Sequence, residues 1–582
     1  MTGNEQTLPP AAGNAFYRIC TMTVCALVIG LSVSLAAIAF VEVVAWMNNA
    51  LLISPRMRVQ FDGSPWLITA ATILVPAVGG LIVGVLLTKL SPEKRPLGPV
   101  DVLRGVQLAV PLPRARAGLL STMAAVTSLG FGASVGQYGP LVYLGAMMGS
   151  ALDRLNLRIP NFAAIAMSCG VAAAISTAFN APIAGMVFAH EVVLRHYSIQ
   201  AFAPTTVAAA TGYVVANVVF ERDALFLVQF SGVQHGYEFV LFGLLGLLAA
   251  GVAIGFMRLT LRCADIAMRS SISPVLRPAC AGLAVGITAL WLPDVMGVGQ
   301  EALRFATIEG AFQTWELALL VIAKIGLTAL CIGFGFAGGV FSPALLIGIL
   351  FGALCWMLVD ATGLVATSGI VAYAICGMMA VTSAVIGAPL TTILIVFELT
   401  RNYDLTIAAM VAVVFSNLVS YRVYGRSLFD VQLARKGVDL SQGRDRARLS
   451  TQFVSDLVIE DFARCTLDEP AGNVSKRMGS AAWSEVFVLD QNAHLAGVFD
   501  ARDDAGDPVA PVSSVMKSVT LVFDEATTLS DAMRQLEGFV GDVIPVVDTN
   551  SNRFVGAVTE TAIIKAYLAA IHDLRREENA TA

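Results

Sequence analysis

Charge is what this sequence has least of. Only 14% of its 582 residues are Asp, Glu, Lys or Arg, where a soluble domain averages about 25%. Its net charge of −5 offers no basic surface for nucleic acid. The nine cysteines include no Cys-x-x-Cys pair, so neither a zinc site nor a disulfide framework is suggested. Most of them, Cys25, Cys169, Cys280, Cys331, Cys355 and Cys376, sit in apolar runs and read as small buried hydrophobes. No His-Glu-x-x-His pattern occurs, which disfavours a metalloprotease. The polar start Met1–Asn14 lacks a cationic segment with a cleavage site, so no signal peptide is expected.

Apolar residues are abundant: 56% of the chain, with a mean hydropathy of +0.74. Runs such as Cys20–Trp46 and Trp66–Leu90 exceed the roughly 20 residues that cross a bilayer. Further spans are read at Phe202–Phe220, Tyr237–Met257, Pro278–Leu292, Ala318–Phe336, Ala344–Val359, Ile370–Phe397 and Leu405–Tyr421. Lys89, Lys94, Arg95, Arg104, Arg114 and Arg116 crowd one connection, which places it, and the N-terminus, on the cytoplasmic side. Many of the 51 glycines lie inside apolar runs, as where membrane helices pack closely or break.

Two stretches share one design. Gly338-Gly339-Val340-Phe341-Ser342-Pro343 and Gly136-Gln137-Tyr138-Gly139-Pro140 each open an apolar helix. Glycine allows a tight turn and close approach of a ligand, and proline suits a first helical turn. The N–H groups of Val340 and Phe341 then lie at a helix N-terminus, which attracts anions. Pro140 and Pro343 are 203 residues apart, whereas Pro182/Pro389 and Glu191/Glu398 are each 207 apart. Matched, Gly/Pro-interrupted segments at a near-constant offset indicate an internal repeat with a binding site at its centre.

Glu191 and Glu398 end matched helices, which favours a shared structural role such as pairing with Arg195 and Arg401 over proton transfer. His190 and His196 are read as hydrogen-bonded side chains. From Gly437 the composition changes. A polar linker around Gly443–Arg448 leads to strands Glu485–Leu489 and Leu495–Phe499, echoed by Val543–Val547 and Phe554–Val558. The tail is itself a tandem repeat.

These motifs, with Phe179-Asn180-Ala181-Pro182, Pro293-to-Gly299 and Arg426-Ser427-Leu428-Phe429, resemble the CLC family of chloride channels and chloride/proton antiporters bearing two C-terminal CBS domains. The resemblance implies an all-α polytopic membrane domain, an inverted repeat of tilted and broken helices, followed by a small α/β CBS pair. It divides the chain into a cytoplasmic segment 1–17, a membrane domain 18–437 (halves about 18–225 and 236–437), a linker 438–453, CBS domains 454–572 and a polar tail 573–582. It implies a homodimer with one chloride pathway per subunit, in a membrane, read as a bacterial inner membrane, with the CBS domains and both termini cytoplasmic. No enzymatic cofactor and no nucleic acid are implied.

The resemblance assigns anion binding to Gly339, Val340, Phe341, Tyr138, Gly139, Phe429 and Gly98. Tyr138 stands where the family's antiporters carry a gating glutamate, and Val192 where they carry an internal proton-accepting one. A phenol stays neutral near pH 7, and valine holds no proton. Phe429 replaces a tyrosine that bonds the central anion. Gly98-Pro99 matches a loop whose serine is missing, and Arg95 beside it either raises the local anion concentration or only marks the side of the loop. Tyr138 would bond a passing anion or block the mouth. Thr559 matches a CBS nucleotide-binding threonine, but Ala562 stands where the ribose-binding Asp falls, which argues against an adenine nucleotide.

Overall fold

The computed structural model describes residues 12–51, 53, 65–155, 157, 159, 161–221, 230, 232–440, 443–478, 484–502 and 508–579. The expectations resting on residues 1–11 and on the last three residues lie outside them. Two compact units divide at residues 436 and 437.

The first unit is helical. Among the described residues, eight helices are long and apolar enough to cross a membrane, and three shorter apolar ones accompany them. Cys20–Trp46 lies within one helix, Ala12–Ala50. Trp66–Leu90 is Pro65–Val85 continued by a π-helical turn to Leu90. Tyr237–Met257 lengthens to Glu238–Arg269, carrying Arg258 and Arg262 within the helix rather than after it. The single span expected over Ile370–Phe397 is two helices, Ile370–Ile386 and Pro389–Thr400. Gly387 caps the first in the left-handed region at φ +71°, and Pro389 starts the second, where its missing N–H has no cost.

Equivalent residues of the two halves exchange the same bonds. Gly136 N–H donates to Gly339 O at 2.8 Å, and Gly339 N–H donates to Gly136 O at 2.7 Å. Residues one repeat apart thus meet as one reciprocal pair of an antiparallel bridge. Small residues set the packing in each half alike. A Cβ on Gly145 would lie 2.4 Å from Gly170 O, and one on Gly348 2.6 Å from Gly377 O. The helix Tyr138–Ala151 thereby seats against Phe162–Phe179. Its counterpart Phe341–Asp360 seats against Ile370–Ile386 in the same way.

The second unit holds two three-stranded sheets of one plan. Strands β1 (Arg464–Thr466), β2 (Glu485–Leu489) and β3 (Leu495–Asp500) form one; β4 (Phe523–Asp524), β5 (Val543–Val547) and β6 (Phe554–Thr559) form the other. In each, the first strand runs parallel to the second and the second antiparallel to the third. Phe462, Phe487, Leu489, Val543, Phe554 and Ala557 make a core shared by both sheets. Within the stretch expected as a linker, Arg444–Leu449 is helical and Leu449 packs into the core around Phe523.

Candidate functional site: two helix tips meeting at the centre of the repeat

The Gly136–Gly339 bridge brings both glycine-rich loops together. Contact is so close that a Cβ on Gly139 would sit 2.8 Å from Gly339 Cα, and one on Gly338 would sit 2.5 Å from Val135 Cβ. No side chain fits there, which is why both loops carry glycine. Tyr138–Ala151 and Phe341–Asp360 start from the bridge. Their first-turn N–H groups, those of Tyr138, Gly139 and Phe341, have no acceptor within their own helix. Val340 caps the second helix. Helix ends of this kind can attract an anion without a full positive charge.

Hydroxyls fix the loops. Gln137 N–H donates to Ser342 Oγ at 3.3 Å, Ala337 N–H donates to Ser128 Oγ at 3.2 Å, and Ser134 Oγ pairs with Thr328 Oγ1 at 3.1 Å. Gly132-Ala133-Ser134-Val135-Gly136 matches the letters of a hydrolase nucleophile elbow, but Ser134 is fully buried with a threonine for a partner. Its hydroxyl is structural.

Aromatic rings close over the tips. Tyr138 is 1% exposed; its ring stacks on Phe179 at 4.1 Å and meets Phe341 edge-on at 5.3 Å. Phe179 and Phe188 also flank Phe341, at 5.3 and 6.3 Å. Phe429 is buried on the helix Leu428–Ala434, which packs against Pro99–Leu108. Ser427 caps that short helix, accepting from Asp430 N–H at 3.1 Å and donating to Asp430 Oδ2 at 2.6 Å.

The expected ion pairs of Glu191 and Glu398 are corrected by the structure. Glu191 accepts from the N–H groups of Leu390 and Thr391, at 2.9 and 2.8 Å, and from Thr391 Oγ1 at 2.7 Å. Glu398 accepts from the N–H groups of Ile183 and Ala184, at 2.9 and 2.7 Å. Each carboxylate thus caps the helix that follows the Ala-Pro step of the other half. Helix N-termini favour anions, and these are charge-assisted bonds, so capping outcompetes a neighbour on the same helix. Arg195 instead pairs with Asp430, beside Phe429. Val192 is buried in the π-helical turn Ala189–Leu194. His190 is buried and hydrogen-bonded, Nδ1 to His196 O at 2.9 Å and Nε2 to Thr205 Oγ1 at 3.0 Å. A carbonyl only accepts, so Nδ1 carries the proton.

At the other end, Gly98 caps Pro99–Leu108 in extended conformation. Its N–H donates to Asp101 Oδ2 at 3.1 Å, an anion already supplied by the chain. Asp101 also holds Arg95 through two bonds, at 2.7 and 3.0 Å, and Lys436 at 3.5 Å. Burial alone would raise the Asp101 carboxyl. The bond and charge of Arg95, then Lys436 and the Gly98 N–H, hold it below the ordinary carboxylate range. A serine from another element braces this loop. Ser121 Oγ, from the helix Ala115–Gly130, accepts from Leu97 N–H at 2.8 Å. Only proximity across 24 residues reveals it. In the second unit Thr559 Oγ1 accepts from Ala562 N–H at 3.1 Å, capping the helix Glu560–Asn579.

Residues 79–421, more than half of the chain, match the profile of a family described as voltage gated chloride channel, and residues 512–569 match that of the CBS domain. A ClcB-like protein of Ralstonia nicotianae is 32% identical over 71% of this chain and 96% of its own length. The chloride channel protein CLC-f of Arabidopsis thaliana is 29% identical over 90% of this chain and 66% of its own. The H+/Cl− exchange transporter ClcA of Cronobacter sakazakii is 28% identical over 71% and 90%. Among solved structures, a slow cyanobacterial Cl−/H+ antiporter superposes with a TM-score of 0.64 at 23% identity, over 71% of this chain and 97% of its own. A eukaryotic CLC transporter covers 94% of this chain and 98% of its own at 0.61 and 18%. These two likenesses concern the fold. The repeat, its meeting helix tips and the matched profiles lead to one conclusion: this chain is a multi-pass membrane protein of the CLC anion-transport family with C-terminal CBS domains.

Proposed function

We propose that the protein conducts chloride or a similar small anion passively, without exchanging it for protons. The observation that carries this reading is the pair of residues at the family's two proton stations. Tyr138 is a neutral phenol packed between Phe179 and Phe341, and Val192 is apolar and buried. The nearby titratable groups are committed elsewhere: Glu191 caps a helix and His190 is bonded at both ring nitrogens. Amides at Val340, Phe341, Tyr138 and Gly139 would replace water around the ion; the expected amide of Gly339 is not available to it, because its N–H already donates to Gly136 O. Phe429 gives no hydroxyl there, which weakens the site and favours release. Gly98 is assigned a place at the inner mouth, but its N–H is engaged by Asp101. Tyr138 is the gate in this reading: its ring must leave Phe179 for an ion to pass.

The membrane is assigned as a bacterial inner membrane, with the arginine-rich face, both termini and the CBS pair in the cytoplasm. The protein is assigned as a homodimer. The CBS pair serves packing or dimerisation rather than adenine nucleotide binding, because Thr559 is used as a helix cap and Ala562 offers no carboxylate for a ribose. The test is anion efflux from proteoliposomes with an internal pH probe. Efflux with no linked proton movement is expected; acid driven uphill at a fixed ratio to chloride would refute the reading.

A further inference from the structure

A cavity of about 200 Å3 lies at the C-terminal end of Ala12–Ala50. Asn48, Gln137, Asp294, Gly297 and Glu301 line it. Gln137 directly precedes Tyr138, is only 5% exposed, and its carboxamide bonds no group among the described residues. Asp294 likewise has no hydrogen-bond partner among the described residues, an uncommon condition for a half-buried carboxyl. Beneath the floor, the fully buried Lys324 Nζ donates to Val295 O at 3.0 Å and Gly297 O at 2.8 Å.

We propose that this cavity is a waiting site for a small monovalent anion, and that Asp294 admits the anion only when it carries a proton. The inference rests on the conduction reading above. With Asp294 and Glu301 both ionised, two carboxylates border the cavity and repel an anion. A proton on Asp294 halves that negative charge and adds an O–H donor to the cavity that the Gln137 amide also lines. Other charges are remote or outside the lining. Arg304 shares a helix with Glu301 but does not line the cavity. Glu316, on the helix of Lys324, accepts from Gln313 N–H at 2.8 Å. Arg277–Thr288, which also packs against this segment, has Arg277 at its far end as its one charged residue. Burial first, and the Glu301 charge second, raise the Asp294 carboxyl above the ordinary range, against Lys324. Loading therefore falls in mild acid.

The test is chloride efflux from proteoliposomes of the full chain, with equal pH on both sides, from about pH 7.5 to about pH 5. Wild-type flux is expected to rise about tenfold on acidification. Asp294→Asn is expected to conduct at the high level throughout, and Glu301→Gln to move the rise to lower pH by removing a neighbour that holds the proton. If Asp294→Asn does not yield folded protein, the Glu301→Gln shift decides alone. A wild-type flux flat across pH, an Asp294→Asn flux that still rises as wild type does, or an unmoved Glu301→Gln midpoint overturns the proposal while leaving conduction intact. No flux at any pH removes the conduction reading and this inference with it.

Discussion

The two halves of the membrane unit differ in a revealing way. Where they build the scaffold, they agree: Glu191 and Glu398 cap each other's helices, and Gly136 and Gly339 exchange one pair of bonds. Where they line the site, they part: the first half supplies the buried phenol of Tyr138, the second the amides of Val340 and Phe341 with a phenylalanine ring. Symmetry is retained where a reciprocal contact needs matched partners. It is free to lapse where only one ion passes.

The sharpest way to break the scaffold symmetry is at the carboxylates, which are not equal. Glu191 makes three bonds, two of them buried, whereas Glu398 makes two in a more exposed setting. Glu191→Ala is expected to cost about 3 kcal/mol and Glu398→Ala about 1.5 kcal/mol, read as thermal unfolding of the detergent-solubilised protein. Equal losses would contradict the unequal burial. The glycines come next. Gly339→Ala forces a Cβ to within 2.8 Å of the Gly139 N–H and is expected to lose about 2 kcal/mol along with flux. Gly98→Ala meets no atom within 4 Å, at φ −162°, and should stay within about 0.5 kcal/mol of wild type.

At the site itself, Tyr138→Ala removes the ring stacked on Phe179 and is expected to raise chloride efflux several-fold; Tyr138→Phe keeps the ring and stays near wild type. If both variants match wild type, Tyr138 is not the gate. A pH-dependent effect belongs to Asp101. Its folded carboxyl lies below the ordinary value, so its contribution is full above the unfolded value of about 3.9. It fades as pH falls through the lower folded value. Asp101→Asn should lower the melting temperature at neutral pH and narrow its gap to wild type in strong acid.

Sequence made the repeat legible because its markers are local: Gly and Pro steps at a fixed offset, and apolar runs of membrane length. The broken span at Gly387-Ala388-Pro389 was also written there, but an uninterrupted hydropathy profile masked it. What sequence hides is which groups meet through space. Glu191 has Arg195 four residues on, yet bonds amides 199 and 200 residues away. Ser121 serves a loop 24 residues back, and Asp101 occupies the Gly98 N–H that spacing alone offers to an anion. Charge placement near neighbours in sequence is a weak guide where helix ends compete for the same carboxylate.

The central claim is that the helix tips joined by the Gly136–Gly339 bridge hold the transported anion. Crystals of the protein grown in bromide test it most directly through the anomalous signal of the ion. The account predicts a peak beside the amides of Val340 and Phe341, near the Tyr138 ring. Ordered bromide elsewhere along the pathway, with none at those amides, would contradict it.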